Sequence, residues 1–404
     1  MELDSDIIIV GGGLNGSLLA IAAAKIGFST IVLDSRGNHR DELNSFDGRS
    51  YALAASSVRL LKNLDIFEDI RDYSQPILDI EILDGKLVQG PSQFSLHFDN
   101  NEIHDGPMGY MVEDRFIQKT LFAQILATNQ IDYKFDSKVT EHYQQGSYIS
   151  VQLDDGQKLR TRLVVGADGR NSNIAKRAKI KKSGWRYKQN ALVCAIEHEI
   201  DHKGLAWQYF LPNGPLAILP MTGNRSSIVW TEQTKNADAI NALDDNQYME
   251  ILNSRLGSFL GKSKLIGSRH SFPLELRIAD RFIDDRLALI GDAAHSVHPI
   301  AGQGLNAGFK DIAVLAHVIQ DSYCRGEDFG SLGVLKRYEE WRRFDSVQLA
   351  YSTDLFNRLF SNENEALQVV RNIGIKILDS IPAAKRNIIK EAAGITGELP
   401  RLMR

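Results

Sequence analysis

The apolar run Ile7-Ile8-Ile9-Val10 leads directly into Gly11-Gly12-Gly13-Leu14-Asn15-Gly16, and this junction constrains the chain more than any other stretch. An Ala-rich segment follows, and then Thr30-Ile31-Val32-Leu33 ends on Asp34. Strand, G-x-G-x-x-G turn, helix, second strand and terminal acid therefore come in order, which supplies the βαβ context that gives the motif its meaning. Gly11 permits the tight turn out of the strand, Gly13 lets the backbone approach a pyrophosphate, and Gly16 lets the helix pack on the sheet. The helix N-terminus then offers unpaired N–H groups and a partial positive charge to phosphates. Asp34 stands about twenty residues beyond the glycines, where a carboxylate accepts hydrogen bonds from both ribose hydroxyls of an adenosine and disfavours a 2′-phosphate. The stretch Ile7–Leu33 carries one charge, Lys25, and is long enough to imitate a membrane span. Its five glycines and β-rich ends fit strand, turn, helix and strand instead.

With 404 residues, 43% of them hydrophobic, the chain can bury a large core and should form two or more subdomains. Its formal net charge of −4 gives no global basic field, which argues against nucleic acid as a partner; the basic stretch Lys176 to Lys188 reads as a solvated face. Cys194 and Cys324 are the two cysteines and have no CxxC spacing, so a reducing compartment is expected and redox chemistry must come from a cofactor. The first strand starts within about ten residues of Met1, which leaves no room for a signal peptide, and the expected location is cytoplasmic.

A helical pattern runs through Leu53, Val58, Leu61, Leu64 and Ile66, and Met111 to Ile117 opens another helix that continues through Leu121 and Ile125. Tyr133 to Val165 alternates apolar and polar residues about Asp154-Asp155-Gly156, a hairpin turn. Residues 190–232 carry further strand signals, with Trp207-Gln208-Tyr209-Phe210-Leu211 and Ala217-Ile218-Leu219-Pro220 separated by a Pro/Gly turn. Residues 245–260 read as helix. Two more small-residue turns follow apolar strands. One is Gly166-Ala167-Asp168-Gly169, and the other runs from Gly291-Asp292 through His295, His298 and Pro299 to Gly302-Gln303-Gly304-Leu305-Asn306. A strand delivers Asp292 at its carboxyl end, where ligands of open α/β sheets bind, and the Gly302 turn exposes backbone N–H groups at a helix start.

The fingerprint with Asp34, the Gly-Ala-Asp-Gly turn and the segment Gly291 to Asn306 together resemble the FAD-dependent aromatic hydroxylases, over nearly the whole chain. Asp47-Gly48-Arg49-Ser50-Tyr51-Ala52-Leu53, Gly109 to Arg115, Gly214 to Pro220 and Ser227 to Thr231 are most similar to the ubiquinone-biosynthesis hydroxylases among them. The resemblance implies an α/β fold: a Rossmann-like FAD-binding domain of the glutathione-reductase and p-hydroxybenzoate-hydroxylase type, an inserted β-sheet substrate domain and C-terminal helices. The corresponding boundaries are 1–75, 105–180 and 270–330 for a discontinuous FAD domain, 76–104 and 181–269 for the substrate domain, and 331–404 for the helical region.

By that resemblance Gly11, Gly13 and Gly16 hold the FAD pyrophosphate, Asp34 the adenosine ribose and Asp292 the ribityl chain. Arg49 and Arg115 contact the flavin or its phosphates, and Pro299 with the backbone of Gly302, Gln303, Gly304 and Leu305 lines the isoalloxazine. Leu14, Asn15, Val139, Gly291 and Asn306 complete the set, while Asp168 is associated with both FAD and a transient nicotinamide cofactor, NADH or NADPH. The implied reaction uses NAD(P)H and O2 to hydroxylate a phenol ring. Tyr209, Pro220, Trp230 and His295 are the substrate-side candidates, with no catalytic base assigned, although large aromatics such as Trp230 ordinarily serve cores. His295, His298 and Asp292 have the residue types of a metal site, but their loop spacing does not make them converge, and no metal is expected.

A prenylated phenol needs an apolar tunnel and membrane access. Leu355, Phe356, Leu359 and Phe360, then Ile373, Ile375, Leu378 and Ile381 with Lys385, Arg386 and Lys390, form an amphipathic basic pattern that suits lipid, packing on the body or an oligomer contact. The leading reading is a hydroxylase of a polyprenylated phenol in ubiquinone synthesis, with peripheral membrane contact, a quinone-synthesis complex or a homo-oligomer as partners to test. A hydroxylase of a small soluble phenol and a non-catalytic flavin-binding scaffold are the alternatives.

Overall fold

A computed structural model describes residues 3–38, 40–84, 95–100, 106–211, 213–296, 302–360 and 382–404. The chain starts with β1 (Ser5–Val10), α1 (Leu14–Ile26) and β2 (Thr30–Leu33), and β1 and β2 are parallel, as the fingerprint requires. Next come β3 (Ser50–Ala54), α2 (Ala55–Asn63), α3 (Phe67–Ile70), β4 (Ser74–Ile77), β5 (Asp79–Asp84), β6 (Ser95–Asp99) and β7 (Gly109–Glu113). α4 (Asp114–Ala127) leads to β8 (Ile131–Lys134), β9 (Val139–Gln145), β10 (Tyr148–Leu153), β11 (Lys158–Gly166) and α5 (Asn173–Arg177). The long β12 (Lys182–His198) precedes β13 (Leu205–Leu211), β14 (Gly214–Met221), β15 (Arg225–Gln233), α6 (Thr234–Asn241) and α7 (Asp245–Leu256). After β16 (Ser263–Ala279) come β17 (Ile283–Asp284), β18 (Leu287–Leu289), β19 (His295–Ser296), α8 (Gln303–Cys324), α9 (Leu332–Phe360) and α10 (Pro382–Ala392).

The first sheet has the order β17-β18-β11-β1-β2-β8, with β10 and β9 continuing from β11. Its centre is parallel, β1 lying between β11 and β2. Strands covered on both faces need no alternation, and Ile7, Ile8, Ile9, Leu163, Val164 and Val165 are all fully buried. The hairpin at Asp154-Asp155-Gly156 joins β10 to β11 as the alternation implies.

The second sheet runs β19-β16-β12-β15-β14-β13-β5-β6, and a small sheet β3-β7-β4 packs against β14 of that sheet and against α2, α4 and α8. Three expectations change. Met111 and Val112 belong to β7, where they pair with β3 and β4, so the helix begins at Asp114. β3 likewise takes Leu53 out of the helix that follows it. β16, 17 residues long, crosses the expected boundary at 269/270, and β19 pairs with it, so the second sheet draws strands from both sides of that boundary.

Alternation gives the second sheet two unlike faces. Leu192, Cys194, Ile196, Tyr209, Leu216, Ile218, Ile228 and Trp230 form one, buried beneath Tyr248, Met249 and Leu252 of α7. The other carries Ala206 and Leu219, which pack with Ile77, Met111 and Ala52 of the small sheet. Among the described residues no helix is long and apolar enough to cross a membrane. The side chains from Leu355 to Lys385 that the amphipathic pattern invoked lie outside the described residues; Arg386 and Lys390 are exposed on α10.

Candidate active site

Val10, Gly11, Gly13, Asp34, Val139 and Asp168 line a cleft of about 370 Å³ at the carboxyl edge of the first sheet. Gly11 has φ +109°, and a Cβ there would stand 2.4 Å from the Ala167 carbonyl oxygen. A Cβ on Gly16 would stand 1.8 Å from the Gly11 oxygen, whereas one on Gly13 would meet nothing within 4 Å, so the turn is closed behind and open at Gly13. Gly13 gives the start of α1, Leu14 and Asn15 included, no side-chain cap, which leaves its N–H groups for an anion.

Asp34 is buried at the cleft wall, where its carboxylate accepts from the Arg36 backbone N–H at 3.0 Å, Arg36 Nη2 at 3.1 Å and the Tyr133 hydroxyl at 2.9 Å. Arg36 and Tyr133 were missed from sequence, because Arg36 reads as one charge in a polar loop and Tyr133, a strand aromatic about a hundred residues on, carries no motif. Asp168 caps α5 by accepting from the Asn173 and Ile174 N–H groups at 2.7 and 3.1 Å, and its Oδ1 is buried with no hydrogen-bond partner among the described residues.

Arg36 also lines a second cavity, of about 590 Å³, together with Arg49 and Arg115. Arg49 pairs with Asp47 at 2.7 Å and with buried Asp114 at 3.0 Å. Burial raises the Asp114 carboxyl above the usual carboxylate range despite the opposing Arg49, and burial with Asp114 beside it pushes the Tyr51 phenol far up. Arg115 Nε lies 2.7 Å from Glu113 Oε2.

The third turn meets the first at Asn15. A Cβ on Gly291 would come within 2.2 Å of Asn15 Nδ2 and one on Gly308 within 2.6 Å, so a side chain at either position would have to displace Asn15 from between the two turns. Asn15 Oδ1 is buried without a hydrogen-bond partner among the described residues. The Asp292 side chain is half-exposed, 3.9 Å from Arg170, and Lys182 Nζ donates to the Asp292 carbonyl at 3.1 Å. Gly302, at φ +64°, starts α8 without a side-chain cap, and Gly304 is open above it. Gln303 Nε2 reaches the Ala392 carbonyl at 3.4 Å, and Leu305 packs on the first core. The Asn306 side chain is spent within the protein: Oδ1 accepts from Ala54 N–H and Ser57 Oγ, and Nδ2 donates to the Ala52 and Gly302 carbonyls. It anchors the turn and leaves only its backbone for a cofactor. Pro299 and His298 lie outside the described residues.

None of the four substrate-side candidates lines either cavity. Tyr209 and Trp230 belong to the face beneath α7, and Pro220 shares the parity of Ile218 on the same strand. His295 is buried, with Nε2 2.8 Å from Asp311 Oδ2; Asp311 also accepts from Gly291 N–H at 2.7 Å and Arg342 Nε at 2.7 Å. His295 therefore braces the Gly291 turn from behind. Burial pushes the Asp311 carboxyl up, but His295 and Arg342 outweigh it and hold the carboxyl below the usual range. Among the described residues no three His, Cys, Asp or Glu side chains converge as metal ligands do.

An open glycine turn, two uncapped helix starts, two arginines and the orphaned acceptor oxygens of Asn15 and Asp168 fit an extended dinucleotide whose hydroxyls donate to those oxygens. The fold and site thus define a dinucleotide-binding flavoprotein with a second, separate sheet. The chain belongs to the family described as FAD binding domain, which matches residues 4–349. A Rhodospirillum rubrum protein named ubiquinone hydroxylase UbiL is 40% identical over 403 residues, covering 99% of this chain and 92% of that protein. The Escherichia coli 3-demethoxyubiquinol 3-hydroxylase is 31% identical over 97% of this chain and 99% of its own length. The crystal structure of p-nitrophenol 4-monooxygenase PnpA from Pseudomonas putida shares the fold, with TM-score 0.81 over 98% of this chain and all of that one, at 19% identity.

Proposed function

We propose that this chain is an FAD-dependent monooxygenase that hydroxylates the aromatic ring of a polyprenylated phenol in ubiquinone biosynthesis, with NAD(P)H and O2 as co-substrates. The observation that carries the reading is the end-to-end likeness to relatives named for ubiquinone hydroxylation, joined to a cleft whose donors and acceptors fit FAD. FAD, when bound, supplies the redox chemistry by taking a hydride from NAD(P)H and activating O2.

The chain's own part is placement and electrostatics. Asp34, with Arg36 and Tyr133 about it, would take the adenosine ribose; Gly11 to Gly16, Arg49 and Arg115 would take the pyrophosphate. Asp292, Asn15 and Asp168 would satisfy hydroxyls along the ribityl chain and ribose. The uncapped N–H groups at Gly302 to Leu305 would stabilise negative charge on the flavin ring edge. The face of the second sheet that carries Ala206 and Leu219 would close over the ring and exclude water. A prenyl tail lives in lipid, so the reading also entails peripheral membrane contact or handover from a partner in a quinone-synthesis complex.

The test is anaerobic stopped-flow reduction of the FAD-loaded protein by NADH and by NADPH, with and without a short-chain prenylphenol, followed by aeration and product analysis. Faster reduction with the prenylphenol and a hydroxylated product support the reading. Equal turnover of simple phenols would move the assignment to a small soluble substrate, and a flavin that neither nucleotide reduces would overturn it.

A further inference from the structure

Glu113, the last residue of β7, is 2% exposed and carries two ion pairs that reach in different directions. Oε2 accepts from Arg115 Nε at 2.7 Å, in the first turn of α4, and Oε1 lies 2.9 Å from Arg225 Nη1, at the start of β15 in the second sheet, an ion-pair contact without hydrogen-bond geometry. Arg225 is itself tied down: Nε donates to the Thr222 carbonyl at 2.9 Å and Nη2 to Thr222 Oγ1 at 2.6 Å. Both guanidinium groups lie 5.9 Å from the centre of the Phe46 ring, Arg115 also covers Phe116 at 4.6 Å, and its Nη1 donates to the Asn44 carbonyl. Arg115 lines the larger cavity; Arg225 does not.

We propose that Glu113 is a positioning residue that links the two sheets through one buried carboxylate, so that Arg225 on the substrate sheet sets the orientation of Arg115 toward the cofactor. A buried carboxylate with a guanidinium at each oxygen, one hydrogen-bonded and one at ion-pair distance, is biased toward one orientation, and a planar guanidinium paired through Nε then presents its remaining N–H edge in a defined direction. Without Arg225 the carboxylate is held at one end only, and the orientation of Arg115 is no longer fixed by the second sheet. Movement of the β14–β15 end on substrate binding would reach the cofactor by this route. The inference rests on Arg115 contacting FAD, as proposed above.

The experiment is a double-mutant cycle on FAD affinity, with FAD fluorescence quenching during titration of the apoprotein as the readout. Arg225→Met is expected to weaken FAD binding roughly three- to thirtyfold in the wild-type background and less than about twofold in an Arg115→Met background. Equal losses in both backgrounds, or no loss from Arg225→Met, would overturn the proposal. Thermal unfolding of each apoprotein is followed in parallel, because a purely structural role lowers apoprotein stability without coupling to Arg115. Should Arg225→Met fail to fold, Arg225→Lys keeps the charge but not the fork on Thr222, and the same loss confined to the Arg115 background decides the question. Hydroxylation plays no part in this readout, so absent turnover with an intact cycle defeats only the proposed reaction.

Discussion

Asp34 sits at a point where one carboxylate serves Arg36, Tyr133 and, by the proposed assignment, a ribose. A methyl group on Gly12 would stand 1.9 Å from the Tyr133 hydroxyl and 2.6 Å from Asp34 Oδ2, so Gly12→Ala must displace both. FAD affinity, measured by titration of the apoprotein, is expected to fall at least roughly tenfold, which is about 1.4 kcal/mol; an unchanged affinity would remove Asp34 from the cofactor site. Asp311 makes a second residue-scale prediction. Its folded carboxyl is held below the ordinary value of about 4, so it contributes stability above that pH and loses the contribution as pH falls through the lowered value. Urea unfolding should therefore show a larger advantage of the wild type over Asp311→Asn at pH 7 than under acid conditions. A pH-independent difference would contradict an ionised Asp311 held between His295 and Arg342.

At the scale of elements, the fingerprint helix α1 and the ring-side helix α8 are joined by contacts that no local pattern announces. Asn306 ties α8 to the β3–α2 junction with three hydrogen bonds and holds the Gly302 turn with a fourth, and Asn306→Ala leaves the Ala54 N–H, the Ser57 hydroxyl and the Ala52 and Gly302 carbonyls without them. The variant should lose roughly 2–4 kcal/mol in urea unfolding of the apoprotein and bind FAD more weakly. A stability loss with unchanged FAD affinity would separate this anchor from the cofactor turn. The fingerprint, its βαβ unit and the hairpin at Gly156 were legible because each has a short-range signature. β7 was not, because Met111 to Glu113 form a strand only by pairing with β3 and β4, and their apolar spacing suits a helix equally well.

In the whole molecule, the proposed assignment gives the substrate to the second sheet, and the two faces of that sheet lead to opposite expectations. Leu219, on the face toward Ala52 and the start of α8, should govern KM: Leu219→Ala is expected to change KM or tail-length preference in steady-state kinetics with FAD affinity intact. Trp230→Ala should instead cost about 3–5 kcal/mol of stability by opening a cavity beneath α7, with KM of the folded fraction unchanged. Reversed outcomes would mean the faces are misassigned. The sequence by itself determined the strand-turn-helix-strand unit at the first glycines and the cofactor class, because glycines and a terminal acid at that spacing act through neighbours along the chain. It also pointed to strands of the second sheet. Only the tertiary structure decided that Tyr209, Pro220 and Trp230 turn away from the cleft, that His295 backs the Gly291 turn through Asp311, and that Glu113 bridges Arg115 and Arg225. A strand's alternation defines two faces without saying which is covered, and a buried charge is matched by whichever partner the fold brings beside it, however distant in sequence.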